Sequence, residues 1–365
     1  MKGSVQATER KSNLDHASFR SYLIVGSLVL VVHVFLLYGF AKIGLSQYSV
    51  RGDGREYMAA AVALAQGRII GTHFPLYSAL IVIVSALVPI DLAALSIPPL
   101  FHTFFALVVY RILVAMKFRR PLSGAIMVAL LPPSAIVYTS SALADSITLF
   151  FVALTFYYGL NGREKLMLVA AFLAGFTHYD GIVLAIPLAY LYWKSNRRKL
   201  PLAAIPAVPI ILLALYQFVV TGNLLYYVSV HFVFYQRVFG TTPLSYPFES
   251  LVYIATALRG IDRIYWFGYV GLAFIVYAIG VARSARVGRN WSAMFSGTFY
   301  ALTALYTGYY FIPRFLLYAF PSLMEFTELG RRRILWWILI AATVMSVAYS
   351  FWFLLVRVPA SGFIS

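Results

Sequence analysis

The sequence predicts an all-α, polytopic membrane protein. Of its 365 residues, 62% are hydrophobic and only 11% are charged, which is too few to cover the exterior of a soluble protein of this size. Apolar runs recur along the whole chain, and a helix needs roughly 20 such residues to cross a bilayer. The alternation typical of barrel strands is absent, and backbone groups in lipid must pair within their own segment, which favours helices.

The basic residues predict how the chain is oriented. The net charge is +17, with Lys and Arg in short clusters between apolar runs, so we assign them to topology and to anionic headgroups rather than to nucleic acid. Residues 1–20 are expected to form a cytoplasmic tail before a signal anchor, residues 21–356 a single transmembrane domain, and residues 357–365 a C-terminal tail. The chain has no cysteine, which excludes disulfides and thiolate chemistry.

We predict about eleven transmembrane helices, with the basic clusters all on one side of the membrane. The predicted crossings are 21–43, 98–116, 121–137, 146–160, 166–177, 182–193, 202–220, 264–282, 291–311, 315–326 and 334–353. This topology leaves two long outer loops, 44–97 and 221–263. In the first loop, 56–66 is typical of an alanine-rich interfacial helix. The apolar run 76–88 is expected to be interfacial or re-entrant, because a crossing there would invert every later basic cluster.

Ionisable residues collect on the predicted outer face, in a chain that has only 12 carboxylates. Charged groups at a membrane edge are costly and usually functional. We therefore expect a site at this face. The residues concerned are Asp53, Glu56, Asp145, His178, Asp180, His231, Arg237 and Arg314.

Each of these residues also has a purely structural interpretation. Asp53 and Glu56 fit a capping box before a helix. Asp145 could be a helix cap, worth roughly 1 kcal/mol. Asp180 precedes a glycine, as in a simple turn. Arg314 could be an arginine at a helix end whose side chain reaches the membrane interface. Its functional interpretation is bidentate binding of a phosphate.

Six segments, in order, resemble the GPI mannosyltransferase II (PIG-V-like) family. Asp53-Gly54 with Tyr57 and Ala60 resembles the family's D-G-x-x-Y-x-x-A motif. The other five segments are Phe74-Pro75-Leu76-Tyr77, Pro133-Ser134 with Ala144-Asp145-Ser146, Thr177-His178 with Gly181 and Pro187, Thr221-Gly222-Asn223, and Arg314-Phe315 with Phe320-Pro321. The chain departs from the pattern at Gly52, Ser78, Asp145 and His178, where the family usually has Trp, Pro, Glu and Arg.

The resemblance implies a GT-C-type fold and an inverting transfer from a polyprenyl-phosphate sugar, typically dolichyl-phosphate mannose. It implies that Asp53 in the first outer loop is the catalytic base and that no metal or other cofactor is needed. Arg314 would pair with the leaving phosphate. The further substrate-binding residues would be Tyr57, Asp145, His178 and Asp180, with His231 and Arg237 as second choices for the phosphate. Two carboxylates with a histidine could bind a metal, but their spacing fits no metal motif.

The expected partners are the lipid-phosphate donor, a lipid or glycan acceptor and membrane lipids, with no nucleic acid, and the protein is expected to be a monomer. The membrane would be the plasma membrane of a prokaryote or the endoplasmic reticulum of a eukaryote, with the site on the non-cytoplasmic face. Two alternatives stay open. One is a transporter or flippase for a lipid-linked or amphipathic substrate, and the other is a non-catalytic assembly subunit in which Asp53 is only a cap.

Overall fold

The computed structural model describes residues 19–49, 53–68, 73–240, 242–329 and 333–357. Its named elements are all helices, which confirms the predicted class. The described residues divide into two compact units. The first unit lies within Met1–Met167 and Thr327–Ser365, and the second within Leu168–Phe326.

Most helices overlap the predicted apolar runs, but Tyr226–Phe239 and Glu249–Ala257 lie in the predicted outer loop 221–263, and the predicted crossing 315–326 is divided among three helical pieces. The first nine are α1 Phe19–Ile43, α2 Ser46–Ser49, α3 Asp53–Ala65, α4 Pro75–Ser85, α5 Ile90–Ala115, α6 Pro121–Leu130, α7 Pro133–Thr139, α8 Asp145–Leu160 and α9 Glu164–Thr177. The later ones are α10 Ala185–Ser195, α11 Val208–Thr221, α12 Tyr226–Phe239, α13 Glu249–Ala257, α14 Gly260–Arg286, α15 Asn290–Ala304, α16 Ile312–Phe315, α17 Phe320–Glu328 and α18 Arg333–Trp352. Shorter 3-10 helices at Tyr179–Leu184, Arg197–Ala207, Tyr309–Phe311 and Leu316–Ala319 connect several of these, and a π-helical turn, Phe353–Arg357, follows α18.

Five helices among the described residues are long and apolar enough to cross a membrane, and a bent pair would make six. They are Phe19–Ile43, Ile90–Ala115, Arg197–Thr221, Gly260–Arg286 and Arg333–Arg357. The predicted count of about eleven crossings and the GT-C fold are not confirmed by this tally. The protein is nevertheless one with several membrane-length apolar helices, as its composition predicted.

Some predicted boundaries differ from the observed ones. Helix α5 begins at Ile90 and carries Pro98 and Pro99 inside it, so the proline pair does not start the helix as we expected. The predicted crossing 121–137 is two helices, α6 and α7, bent by 66° at a break before Pro133. Proline cannot donate its amide within a helix, which explains the break. Helix α4 has 11 residues, which agrees with the prediction that this run is too short to cross.

In the first unit, α5 is the central helix and packs against α1, α4, α6 and α8. Its inward side chains, among them Phe105, Val109 and Leu113, are almost completely buried. Helix α3 packs on α4, and α18 packs on α6 and α7. Burial of the apolar face of α5 on several sides explains why it is the most buried of the candidate spans.

In the second unit, α15 packs against α10, α14 and the 3-10 helix Leu316–Ala319. The close approaches depend on glycine. A side-chain carbon at Gly280 of α14 would lie 2.0 Å from the backbone oxygen of Ser322, so only glycine allows this contact. In the same unit, the residues from Phe315 to Phe320 are deeply buried.

Candidate functional site

In the first unit, the segment that carries Asp53 is held by a close backbone contact. Asp53 is the first residue of α3 and is partly exposed, and Gly54 is buried behind it. A side-chain carbon at Gly54 would lie 2.6 Å from the Ser49 carbonyl oxygen and 3.1 Å from that of Ala142. Glycine therefore allows the start of α3 to lie directly on the chain that leads into α8.

Aromatic rings from two of the resembling segments meet beside this start. The Tyr57 ring is 1% exposed, stacks on His73 at 4.4 Å and meets Tyr77 edge to face at 4.9 Å. The hydroxyl of Ser78, which stands where the family usually has proline, donates to the Tyr57 carbonyl at 3.0 Å. This departure from the family pattern therefore adds a hydrogen bond between α3 and α4.

Asp145 belongs to the same neighbourhood. It is 2% exposed at the first position of α8, and the cap position is Ala144, so the interpretation of Asp145 as a helix cap is wrong. Burial, and after it the Asp145 carboxylate, raise the pKa of Tyr77 well above its ordinary value. Tyr77 is therefore a neutral donor, and its hydroxyl donates to the Ala94 carbonyl at 2.6 Å. The structure thus brings the predicted residues Asp53, Tyr57 and Asp145 into one unit.

The second unit holds a separate polar cluster. His178 caps the 3-10 helix that contains Asp180, which begins at Tyr179. Its Nδ1 lies 3.0 Å from Asp180 Oδ2, and both side chains are about 5% exposed or less. Tyr306 donates its hydroxyl to Asp180 Oδ1 at 3.4 Å. Asp180 is therefore part of a buried network and not of a simple exposed turn.

Arg314 completes this second cluster. It is 6% exposed, and the ring of the next residue, Phe315, stacks on Tyr306 at 4.3 Å. Burial first, and then Asp180, raise the pKa of Tyr306 well above its ordinary value, while Arg314 acts in the opposite direction. The Arg314 guanidinium lies 5.8 Å from the centre of the Phe315 ring, which is the ring that stacks on Tyr306. A guanidinium this deeply buried is not the exposed helix-end arginine of the structural interpretation.

The other predicted residues are placed differently. Arg237 is exposed at the end of α12. The side chain of His231 lies outside the described residues. Glu56 Oε2 lies 3.1 Å from Nε2 of His73, the residue that stacks on Tyr57, so Glu56 borders the first cluster. Among the described residues, no three histidine or carboxylate groups could hold a metal ion, and the expectation of a metal-independent reaction stays a prediction.

Sequence reasoning missed three polar groups. The first is Tyr306, described above. The second is a buried pair of histidines, His33 on α1 and His102 on α5, whose rings share a 2.8 Å hydrogen bond. The third is Glu325, which is 0% exposed and contacts Arg283 and Arg289 in the second unit. The sequence did offer a signal for the histidine pair, because histidine is rare inside predicted membrane helices.

A shallow pocket elsewhere in the first unit contains none of the predicted site residues. It is lined by Phe118, Arg119, Arg120, Gly124, Thr327, Glu328 and Trp336. The Arg120 guanidinium already lies over the Trp336 ring, 4.3 Å from its centre. The pocket therefore gives no reason to move the candidate site from the two clusters.

No protein-family model matches this sequence, and no curated protein sequence matches it either. The fold and the two clusters therefore define the protein only as far as its class, an all-helical protein with several membrane-length helices and two buried polar clusters.

Proposed function

We propose that the protein is an inverting glycosyltransferase that moves a sugar, in the first instance mannose, from a polyprenyl phosphate to an acceptor hydroxyl. Asp53 is the general base of this reaction. Arg314 pairs with the phosphate of the donor. The acceptor is a lipid or a glycan, and the reaction takes place on the non-cytoplasmic face.

The proposed step forms one bond and breaks another. The acceptor oxygen attacks C1 of the sugar while Asp53 takes the hydroxyl proton. The bond from C1 to the phosphate oxygen breaks, and its electron pair leaves with the polyprenyl phosphate. A positioned base is worth about 10²- to 10⁴-fold in rate. The charge that develops on the departing phosphate needs a cation, which is a common role for a guanidinium, and the resemblance assigns that role to Arg314.

One observation supports this proposal above the others: the three earliest segments that resemble the family assemble within the first unit. Gly54 lies on the backbone of Ala142, Tyr57 packs on Tyr77, and Asp145 acts electrostatically on Tyr77. These residues are far apart in the chain. A carboxylate at the partly exposed start of α3, in the same unit as the buried Asp145, is suited to deprotonating a hydroxyl.

The test is transfer by the purified protein in reconstituted membranes. The reaction contains polyprenyl-phosphate mannose with a labelled sugar and a membrane-lipid extract as the source of acceptor. Asp53→Asn should lower transfer at least about 100-fold, because the amide cannot take the proton. Asp262→Asn is the matched control, since Asp262 is an exposed carboxylate in the predicted outer loop 221–263. Full activity of Asp53→Asn, in protein that elutes and melts like the wild type, would refute the role of Asp53.

A transporter or flippase for a lipid-linked substrate is the second candidate, and the bent pair α6 and α7 favours it. Broken helices and ionisable groups inside the membrane are typical of transporters. The His33 and His102 pair lies in such a place. Transporters usually show the break twice, in related halves, whereas one bent pair is found in the part of the chain that the structure describes.

The two candidates differ in what happens to the label. A transferase moves the labelled sugar to a new molecule. A flippase moves the intact lipid-linked sugar across the bilayer of a vesicle, where an added periodate or lectin no longer reaches it. Protection of intact donor without any labelled product would favour transport.

A further inference from the structure

A chain of buried hydrogen bonds in the first unit ends on the segment that leads to Asp145. His33 Nδ1 lies 2.8 Å from Ser140 Oγ, and His33 Nε2 lies 2.8 Å from His102 Nδ1. Thr139 Oγ1 lies 3.1 Å from the same His102 nitrogen. The exposed fraction of these four side chains is 2% or less. Buried polar groups of this kind are costly unless paired, and paired they fix one arrangement.

The partners of the network come from distant parts of the sequence. His33 and Ser140 are 107 positions apart, and His33 and His102 are 69 positions apart. The two imidazoles lie on the membrane-length helices α1 and α5. Ser140 is the residue that follows the last residue of α7, the second helix of the bent pair α6 and α7. The network thus connects two long helices to the end of a short one.

The network holds the irregular segment 140–144 in place. Residues 140–144 form no regular helix, and they are buried. Ser141 donates its hydroxyl back to the Val137 carbonyl at 2.8 Å, within its own turn, whereas Ser140 bonds across to His33. Two residues after Ser140, Ala142 supports Gly54. The segment then enters α8 at Asp145.

We propose that His33 and His102 are positioning residues that fix the segment 140–144. Through Ala142 and through the start of α8, this segment sets where Asp53 and Asp145 lie. The catalytic consequence rests on the proposed transferase function. The positioning itself does not, because it is a property of the fold.

The experiment is hydrogen exchange read by mass spectrometry on the full-length protein in lipid nanodiscs, with transfer measured in parallel. Ser140→Ala should raise exchange in peptides covering 140–145 by about tenfold, as expected for the loss of one buried hydrogen bond, and His33→Leu, which removes two, should raise it at least as much. His33→Asn keeps a polar nitrogen near the position of Nδ1 and should restore much of the protection. Ser141→Ala is the matched control, since its hydroxyl bonds only to the carbonyl of its own turn.

In transfer assays, His33→Leu and Ser140→Ala should lower kcat about tenfold and leave KM for the donor nearly unchanged, because misplacing a base slows the chemical step more than binding. In an Asp53→Asn background, Ser140→Ala should add little to the loss, although exchange should still rise.

The outcomes separate the two proposals. Unchanged exchange in Ser140→Ala and His33→Leu overturns the positioning role, whatever the activity. Ser140→Ala removes only one hydroxyl and should fold. It can therefore be measured by itself if His33→Leu does not fold. Raised exchange with unchanged kcat supports the positioning of the segment and overturns its catalytic consequence. Raised exchange in a protein whose wild type transfers no sugar supports the positioning role and refutes the transferase function.

Discussion

The two units each bury carboxylates, but they hold them in different ways. In the first unit, Asp53 and Asp145 both begin helices, and the nearby backbone contact at Gly54 and the tyrosine Tyr77 determine their surroundings. In the second unit, Asp180 is held by side chains: its carboxylate accepts from the Tyr306 hydroxyl and lies 3.0 Å from His178 Nδ1. The comparison teaches that the first unit places its carboxylates through helix starts and backbone contacts, and the second through side-chain contacts.

The largest expected effect is a loss of stability when one closely packed glycine in each unit is replaced by alanine. A side-chain carbon at Gly181 would lie 2.4 Å from the backbone of Ala174, where no flexible side chain can give way. Gly181→Ala should therefore destabilise the protein by about 3 kcal/mol or more, and Gly54→Ala by about 1–3 kcal/mol. Both are measured by thermal unfolding in detergent.

Gly268→Ala is the control for these two variants. A side-chain carbon at Gly268 meets nothing within 4 Å, so this change should be neutral or should stabilise α14 by up to about 1 kcal/mol. A melting temperature for Gly181→Ala equal to that of Gly268→Ala would contradict the close approach in the second unit.

The next largest effect is a loss of activity in Arg314 variants, which tests whether the second unit binds a phosphate. Arg314→Gln should lower kcat/KM for the lipid-phosphate donor about 100-fold, and Arg314→Lys should lower it less, because lysine keeps the charge and loses the bidentate geometry. Arg259→Gln is the matched control, because Arg259 is exposed in the same predicted loop as Arg237. Equal effects of Arg314→Gln and Arg259→Gln would show that the guanidinium acts only through general charge.

The smallest effect concerns Tyr306. Tyr306→Phe removes the donor to Asp180 and should lower the free energy of unfolding by about 1 kcal/mol at neutral pH, with a few-fold loss of transfer. Because the folded protein raises the pKa of Tyr306, the unfolded chain loses this proton first as the pH rises above about 10. The stability of the wild type should therefore fall relative to Tyr306→Phe above that pH. Parallel pH profiles would contradict the buried phenol.

The sequence predicted the parts of the fold that depend on local pattern. The helix that begins at Asp53, the short apolar helix α4 and most of the later helices follow the expected runs. Hydrophobic periodicity and length determine such elements almost alone. The number of membrane crossings was harder to predict, because a proline can either sit inside a long helix, as Pro98 does in α5, or break one, as Pro133 does.

The candidate site was predictable only in part, for a physical reason. Asp53, Asp145 and Asp180 were visible because carboxylates are rare in this chain. Their neighbours Tyr306 and His33 were not, because a tyrosine among 27 and a lone histidine gain meaning only from partners more than 100 positions away. Glu325 was missed although its partners are nearer in the chain, because Arg283 and Arg289 looked like part of a basic cluster that sets topology.

The bend between α6 and α7 also has a consequence for water. Pro132 and Pro133 bring no amide hydrogens, so the carbonyls of Val128 and Ala129 receive no helical bond from the residues four positions ahead. Both residues are 2% exposed or less. His102 forms a hydrogen bond with the backbone of Ala129, which replaces the helical bond that is missing there. Ordered solvent at the Val128 carbonyl, visible in a high-resolution density map, would reveal a hydration site at this kink.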